Sequence, residues 1–151
     1  MLSLSKKADY ALVAMLHLAE QPGQRFSARS LARQSALPVA LLMNLLKLLA
    51  AEGVIQSERG VKGGYTLALD PAQISLAQIV HAVEGPVALT VCMDPASPDP
   101  CSRQCKCRLH RPLRRVHDAL RGLLETFTLA DMLAEADLPH TLEQRLVPLQ
   151  T

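Results

Sequence analysis

The sequence predicts a mainly α-helical chain with one small β-hairpin: a winged helix-turn-helix followed by a long helix. Three observations carry this. Two short helical stretches flank a tight turn at Ala36-Leu37-Pro38. Directly after them, a glycine-rich tip with two cations, residues 58–64, joins two short β-rich stretches. From Pro112 onward, Leu113, Val116, Leu120, Leu123 and Phe127 alternate spacings of three and four, the seam of a helix that meets a partner helix. The chain divides accordingly into residues 1–86 for the winged helix-turn-helix and 87–111 for a cysteine-rich loop. Residues 112–137 hold the long helix and a short last one, and 138–151 form a tail with no assigned role.

Residues 5–20 read as a helix capped by Ser5, with Tyr10, Val13, Ala14, His17 and Leu18 at helical spacing. Gln21-Pro22-Gly23-Gln24 ends it. A second helix opens at Phe26-Ser27, with Ser27 as cap and Leu31 and Ala32 facing inward. The third starts near Pro38, which suits a first helical turn, and stops at Gly53, a C-cap glycine. Residues 54–57 and 65–69 are the hairpin strands, and a hairpin placed there is a wing. Asp70-Pro71 turns the chain. Ser75-Leu-Ala-Gln78 is a capping box that opens a helix to Glu84, which Gly85-Pro86 stops. The long helix carries Arg114, Arg115, Asp118, Arg121 and Glu125 off its apolar seam. Such a helix suggests a two-fold related copy, though packing on its own domain also fits. Thr128-Leu-Ala-Asp131 caps a last short helix.

Composition narrows the class. A chain of 151 residues, 49% of them hydrophobic, holds one packed core. No stretch approaches the roughly 20 apolar residues of a membrane span. The residues after Lys6-Lys7 lack the apolar run of a secretory signal, so a cytoplasmic protein is expected, with no membrane partner. Residues 1–69 hold eight Lys/Arg and four Asp/Glu, a net of +4, against eight and ten, a net of −2, over 70–151. The basic half is where a nucleic-acid partner belongs. No nucleophile–base pair or phosphate loop is present, so an enzyme is not expected.

All four cysteines, Cys92, Cys101, Cys105 and Cys107, lie within sixteen residues, with three prolines between the first two. Proline fixes φ and removes a backbone donor, so this stretch is neither a long helix nor an inner strand. In a reducing compartment such a cluster points to metal or redox chemistry rather than disulfides. Clustered soft thiolates with an imidazole nearby suit an iron–sulfur cluster but also tetrahedral zinc. Metal-free thiols are the third possibility. His17, His81, His117 and His140 read as surface or packing residues.

Lys7-Ala8-Asp9-Tyr10-Ala11-Leu12, Arg59-Gly60-Val61-Lys62-Gly63-Gly64-Tyr65-Thr66-Leu67, Ile79-Val80-His81-Ala82-Val83-Glu84-Gly85-Pro86, the cysteine loop and Thr128-Leu129-Ala130-Asp131-Met132 together resemble the Rrf-two family of bacterial winged-helix regulators. The resemblance spans residues 1–135. It implies a homodimer that binds a pseudo-palindromic operator in double-stranded DNA and carries an iron–sulfur cluster, with [2Fe–2S] ahead of [4Fe–4S]. It also implies ligands. Cys92, Cys101 and Cys107 match the family's three cysteines, the last two separated by five residues. His110, three residues after Cys107, matches the fourth ligand of the IscR-like members. Asp9 matches the fourth ligand of the NsrR-like members, and could equally be a carboxylate facing the positive end of its helix. The gap of eight residues between Cys92 and Cys101 is long for the family, and Cys105, an addition to the pattern, is a third candidate for the fourth position.

On the third helix Pro38, Val39, Ala40, Met43, Asn44 and Lys47 are the residues that could face DNA. Asn44 can pair with an adenine edge and Lys47 suits a phosphate. The four apolar ones could touch thymine methyl groups, or shape readout could dominate. Arg59 and Lys62 on the wing suit the minor groove and phosphates; Arg29 and Arg33 suit phosphate or solvent equally. The functions these readings support are an iron–sulfur-dependent regulator of cluster-assembly genes, a repressor of the same family that senses nitric oxide or redox state, and, from another class, an iron–sulfur electron carrier. The wing argues against the last, since a carrier needs none.

Overall fold

A computed structural model describes residues 4–60, 63–98, 101 and 106–136. Lys62, Cys105 and the tail 138–151 lie outside them. The order is α1 (Lys6–Glu20), α2 (Ala28–Gln34), α3 (Val39–Glu52), β1 (Ile55–Glu58), β2 (Gly64–Leu67), α4 (Leu76–Glu84), α5 (His110–Thr126) and α6 (Leu129–Ala136), with short 3₁₀ turns at Pro71–Gln73 and Val91–Met93. The predicted fold class is the one observed.

Local signals set most helix ends. The Ser5 hydroxyl accepts from the amides of Lys7 and Ala8, and Ser27 accepts from Ser30 at 3.0 Å. Ser75 and Gln78 form the reciprocal capping box. Gly53 ends α3 in the left-handed region, φ 82° and ψ 10°. Its amide bonds Ala50, and that of Val54 bonds Leu49, closing a Schellman turn that few residues besides glycine accept without strain. Thr128 Oγ1 and N donate to Asp131 at 2.6 and 2.8 Å, and Asp131 N returns a bond to the hydroxyl. These bonds, the hydroxyl's first, hold the Asp131 carboxyl below its ordinary pKa.

The α2–α3 turn carries strain that its sequence does not advertise. Ala36 sits at φ 54°, a left-handed conformation costing an alanine about 1–2 kcal/mol. The amide of Leu37 donating to Ala32 O at 2.9 Å holds it there. The chain bends by 114° between the two helices, within the range of a helix-turn-helix. Leu31 from α2 and Leu42, Leu45, Leu46 and Leu49 from α3 are buried together. Among the described residues no single helix is long and apolar enough to cross a membrane.

One reading changes. The inward face of α1 is Ala8, Ala11, Leu12, Ala14, Met15, Leu18 and Ala19; of the residues read at helical spacing, Ala14 and Leu18 are buried, while Tyr10, Val13 and His17 are only half-buried. Alanines allow α3, α4 and α6 to approach α1 closely, so the buried face is chosen by fit around it rather than by side-chain size. His17 turns outward and meets Glu20 at 3.2 Å.

The hairpin pairs antiparallel, Ile55 opposite Leu67 and Glu58 opposite Gly64. Phe26 adds a third rung: its amide donates to Tyr65 O at 3.0 Å, and Tyr65 N donates back at 2.8 Å. This seats the buried Phe26 ring in the core and ties the wing to the start of α2. A Cβ on Gly64 would lie 2.7 Å from Phe26 O, a backbone atom with no room to yield. Gly64→Ala should therefore destabilise the fold by roughly 1–3 kcal/mol, the scale of overpacking a filled site. Thermal or urea unfolding monitored by circular dichroism checks this, and an unchanged midpoint would show that the approach relaxes freely.

Beyond α5 the chain returns to the first domain. Leu76 N donates to Phe127 O and Leu129 N to Ile74 O, both at 2.8 Å. Leu129 is fully buried in the same core as α1 and α4. The α6 helix thus closes the winged domain, while α5 lies against α4 with its seam outward.

Candidate nucleic-acid interface and metal centre

The face of α3 opposite the buried leucines carries the residues of this helix and its start that were read as DNA-facing. Pro38, Val39, Ala40, Met43, Asn44 and Lys47 are all exposed, and Leu48 joins them. Leu48 was not anticipated, although its position four residues after Asn44 places it on that side. The first turn of α3 has no side-chain cap, since Pro38 stands at the N-cap position. Its leading amides are left for an external acceptor. Arg29 and Arg33 on α2 and Arg59 at the wing tip are exposed as well. Where the strands meet the wing tip, Arg25 pairs with Glu58 through two contacts of 2.7 Å. Thirty-three residues separate them, so no local pattern signals the pair. Both side chains are about half exposed, which limits the pair to at most about 1 kcal/mol.

The cysteine loop begins at Val87, after Gly85 and Pro86 have ended α4. Cys92 lies in the Val91–Met93 turn, half-buried, with its Sγ 3.2 Å from Thr90 Oγ1. Cys101 is half-buried, Cys107 is exposed, and all three described cysteines are free thiols. His110 is the first residue of α5, and its amide donates to Cys107 O at 3.3 Å, so a turn of backbone links these two candidate ligands.

A cleft of about 630 Å³ runs between α4, this loop and α5. Cys92 and His110 both line it, as do His81, Arg114 and His117. His117, read as a surface or packing residue, is the one buried residue of α5, and its Nδ1 has no hydrogen-bond partner among the described residues. Asp9 is exposed in the first turn of α1 and does not line the cleft. Among the described residues no three His, Cys, Asp or Glu side chains are grouped closely enough to hold a metal ion. The donor set still fits a thiophilic group in kind: three free thiols and an imidazole in one loop, two of them facing one cleft.

On a face apart from the cleft, α5 exposes an apolar row. Val116 and Leu123 are 56% and 62% exposed, and Leu109, just before the helix, is 64% exposed. Leu113, Leu120 and Phe127 flank them, half-buried. Leu109 extends the alternating seam by one position. Its spacing was legible, but placing the helix start at Pro112 left it out.

A helix-turn-helix with a β-wing, an exposed face on the second of its two helices and cations on α2 and the wing define a DNA-binding transcriptional regulator. Residues 4–135 match the family described as Rrf2, iron-dependent transcriptional regulator, and the chain belongs to this Rrf2 (Rrf-two) family. It is 31% identical over 138 residues to an rrf2-like HTH-type transcriptional regulator of Rhodobacter capsulatus, covering 87% of this chain and 92% of that one. Its fold is similar to that of CymR (YrzC), the global cysteine regulator of B. subtilis, with a TM-score of 0.71, 28% identity, and 91% and 100% of the two chains covered. It is also similar to T. potens IscR, with a TM-score of 0.69, 28% identity, and 90% and 89% covered. These relatives are regulators of transcription, not enzymes.

Proposed function

We propose that the chain is a homodimeric regulator whose operator affinity depends on an iron–sulfur cluster, and that it controls cluster-assembly genes. Cys92, Cys101 and Cys107 are the thiolate ligands in this reading, and His110 is the fourth. The observation that supports it most is that Cys92 and His110 line one cleft and that His110 is also the first residue of α5. Whatever draws the loop onto His110 acts on the helix bearing the Leu109, Val116 and Leu123 row. When bound, the cluster would supply an iron more readily exchanged at the imidazole side, because a neutral imidazole binds iron less firmly than a thiolate. The protein's part is to hold the loop, set the start of α5 and so set how two copies meet. Two copies then present their α3 helices to half-sites about one DNA turn apart.

Asn44, with Pro38, Val39, Ala40 and Met43, faces base edges in this reading. Lys47, Arg59 and Lys62 carry phosphate and minor-groove contacts.

Iron and acid-labile sulfide content after anaerobic purification, with a Mössbauer spectrum, tests the cluster. Footprinting of the cluster-bound and cluster-free forms tests its control of operator binding. Zinc in place of iron, or equal operator affinity of both forms, would overturn the reading. The likeness to CymR, a global cysteine regulator, favours one second reading: control of cysteine-supply genes with metal-free loop thiols. Absence of iron together with specific binding to a promoter of such genes would select it.

The fourth ligand has its own expected result. His110→Ala should leave a cluster that forms but bleaches faster in air, with Asp9→Ala milder, followed by absorbance decay under oxygen. The reverse order would assign the position to Asp9 and move the chain to the nitric-oxide-sensing group.

A further inference from the structure

We propose that α3 reads the methyl groups of thymine, so that each operator half-site places two thymines against Val39 and Met43, beside an adenine held by Asn44. The inference rests on the DNA-binding reading and names what that surface recognises.

The exposed face of α3 is unusually apolar for a surface turned to a polyanion. Val39 and Met43 are 39% and 42% exposed, with Pro38 and Ala40 beside them. Only Asn44 and Lys47 on that face can form hydrogen bonds. Exposed cations stand on the neighbouring elements: Arg29 and Arg33 on α2, and Arg59 at the wing. An apolar strip between cations fits an occupant that is anionic outside and carries apolar groups within a groove. On the major-groove edge of DNA, the thymine C5-methyl is the apolar group that distinguishes one base pair from another.

The spacing agrees. Val39 and Met43 are four residues apart, one turn, about 6 Å along the helix axis. That spans roughly two base steps of 3.4 Å along a strand. Asn44 follows Met43 directly and can pair with adenine N6 and N7. Lys47, a turn beyond Met43, reaches the adjacent phosphate. A protein partner docked on this face would leave the surrounding guanidinium and ammonium groups to be desolvated without phosphates, which disfavours it.

The test uses the full-length chain, anaerobically purified. A duplex is first selected from a random library, and each thymine in it is then replaced singly by deoxyuridine. That exchange removes the methyl and keeps the O4 acceptor and the base pairing. Two positions per half-site should each lose about fourfold in affinity, the equivalent of ~0.8 kcal/mol for one buried methyl-sized group. Val39→Ala should abolish the uracil effect at one position and Met43→Ala at the other, with the salt dependence unchanged because phosphate contacts remain. Both residues are exposed, so neither substitution threatens the fold. A selected duplex bound specifically yet indifferent to uracil everywhere overturns the inference and leaves readout by shape. Failure to enrich any duplex overturns the operator reading itself, and this inference with it.

Discussion

Alanine at Cys92, Cys101 or Cys107 should abolish the visible cluster absorption, while Cys105→Ala should keep it. Outer-shell partners of a metal typically change its affinity by roughly 10–100-fold, and loss of a thiolate ligand itself should exceed that. Cys101 and Cys107 keep the five-residue separation that the resemblance implies, Cys92 stands first at a longer gap, and Cys105 is outside the pattern. Cys92 is the most telling of the three. It is half-buried at the cleft that His110 also lines, so its loss removes the anchor that brings the loop to α5. Absorption spectra and iron content of the four single variants, prepared side by side, decide the assignment. Bleaching in Cys105→Ala alone would overturn it.

A double substitution Val116→Glu with Leu123→Glu should split the proposed dimer and remove specific operator binding. Both side chains are more than half exposed on the described chain, so the charges leave its own core intact. In a dimer they would face the same residues of a second copy, where unpaired carboxylates are strongly unfavourable. One half-site alone retains little of the specific affinity. Specific binding in such systems typically exceeds non-specific binding by about 10³-fold or more, and most of that margin should vanish. Non-specific binding through Arg59, Lys62 and Lys47 should change little and keep its salt dependence. Sedimentation equilibrium and fluorescence anisotropy on the selected operator measure the two effects, with circular dichroism to confirm the fold. A double variant that still sediments as a dimer would place the subunit contact elsewhere.

Much of this molecule follows from short-range chemistry that the sequence itself carries. Ser5, Ser27, the Ser75–Gln78 box, Gly53 and the Thr128–Asp131 pair determined where helices start and stop, because each acts on amides or carbonyls within four residues. The glycines and cations of residues 58–64 marked the wing, and the three-four spacing marked the outward seam of α5, for the same reason. Side chains on one turn reach only their neighbours, so sequence distance is enough. What only the tertiary structure decided are meetings between distant residues. Phe26 pairs with Tyr65 and brings its carbonyl to where a Cβ on Gly64 would lie; Leu129 returns across α5 to the core of α1; Arg25 meets Glu58. The inward face of α1 belongs here too, since its alanines are buried by three packed helices rather than by their own hydrophobicity. So does the cleft that brings Cys92, His110 and His117 together. Local propensity is blind to such contacts because the topology of the chain, not its spacing, sets which surfaces come within reach of one another.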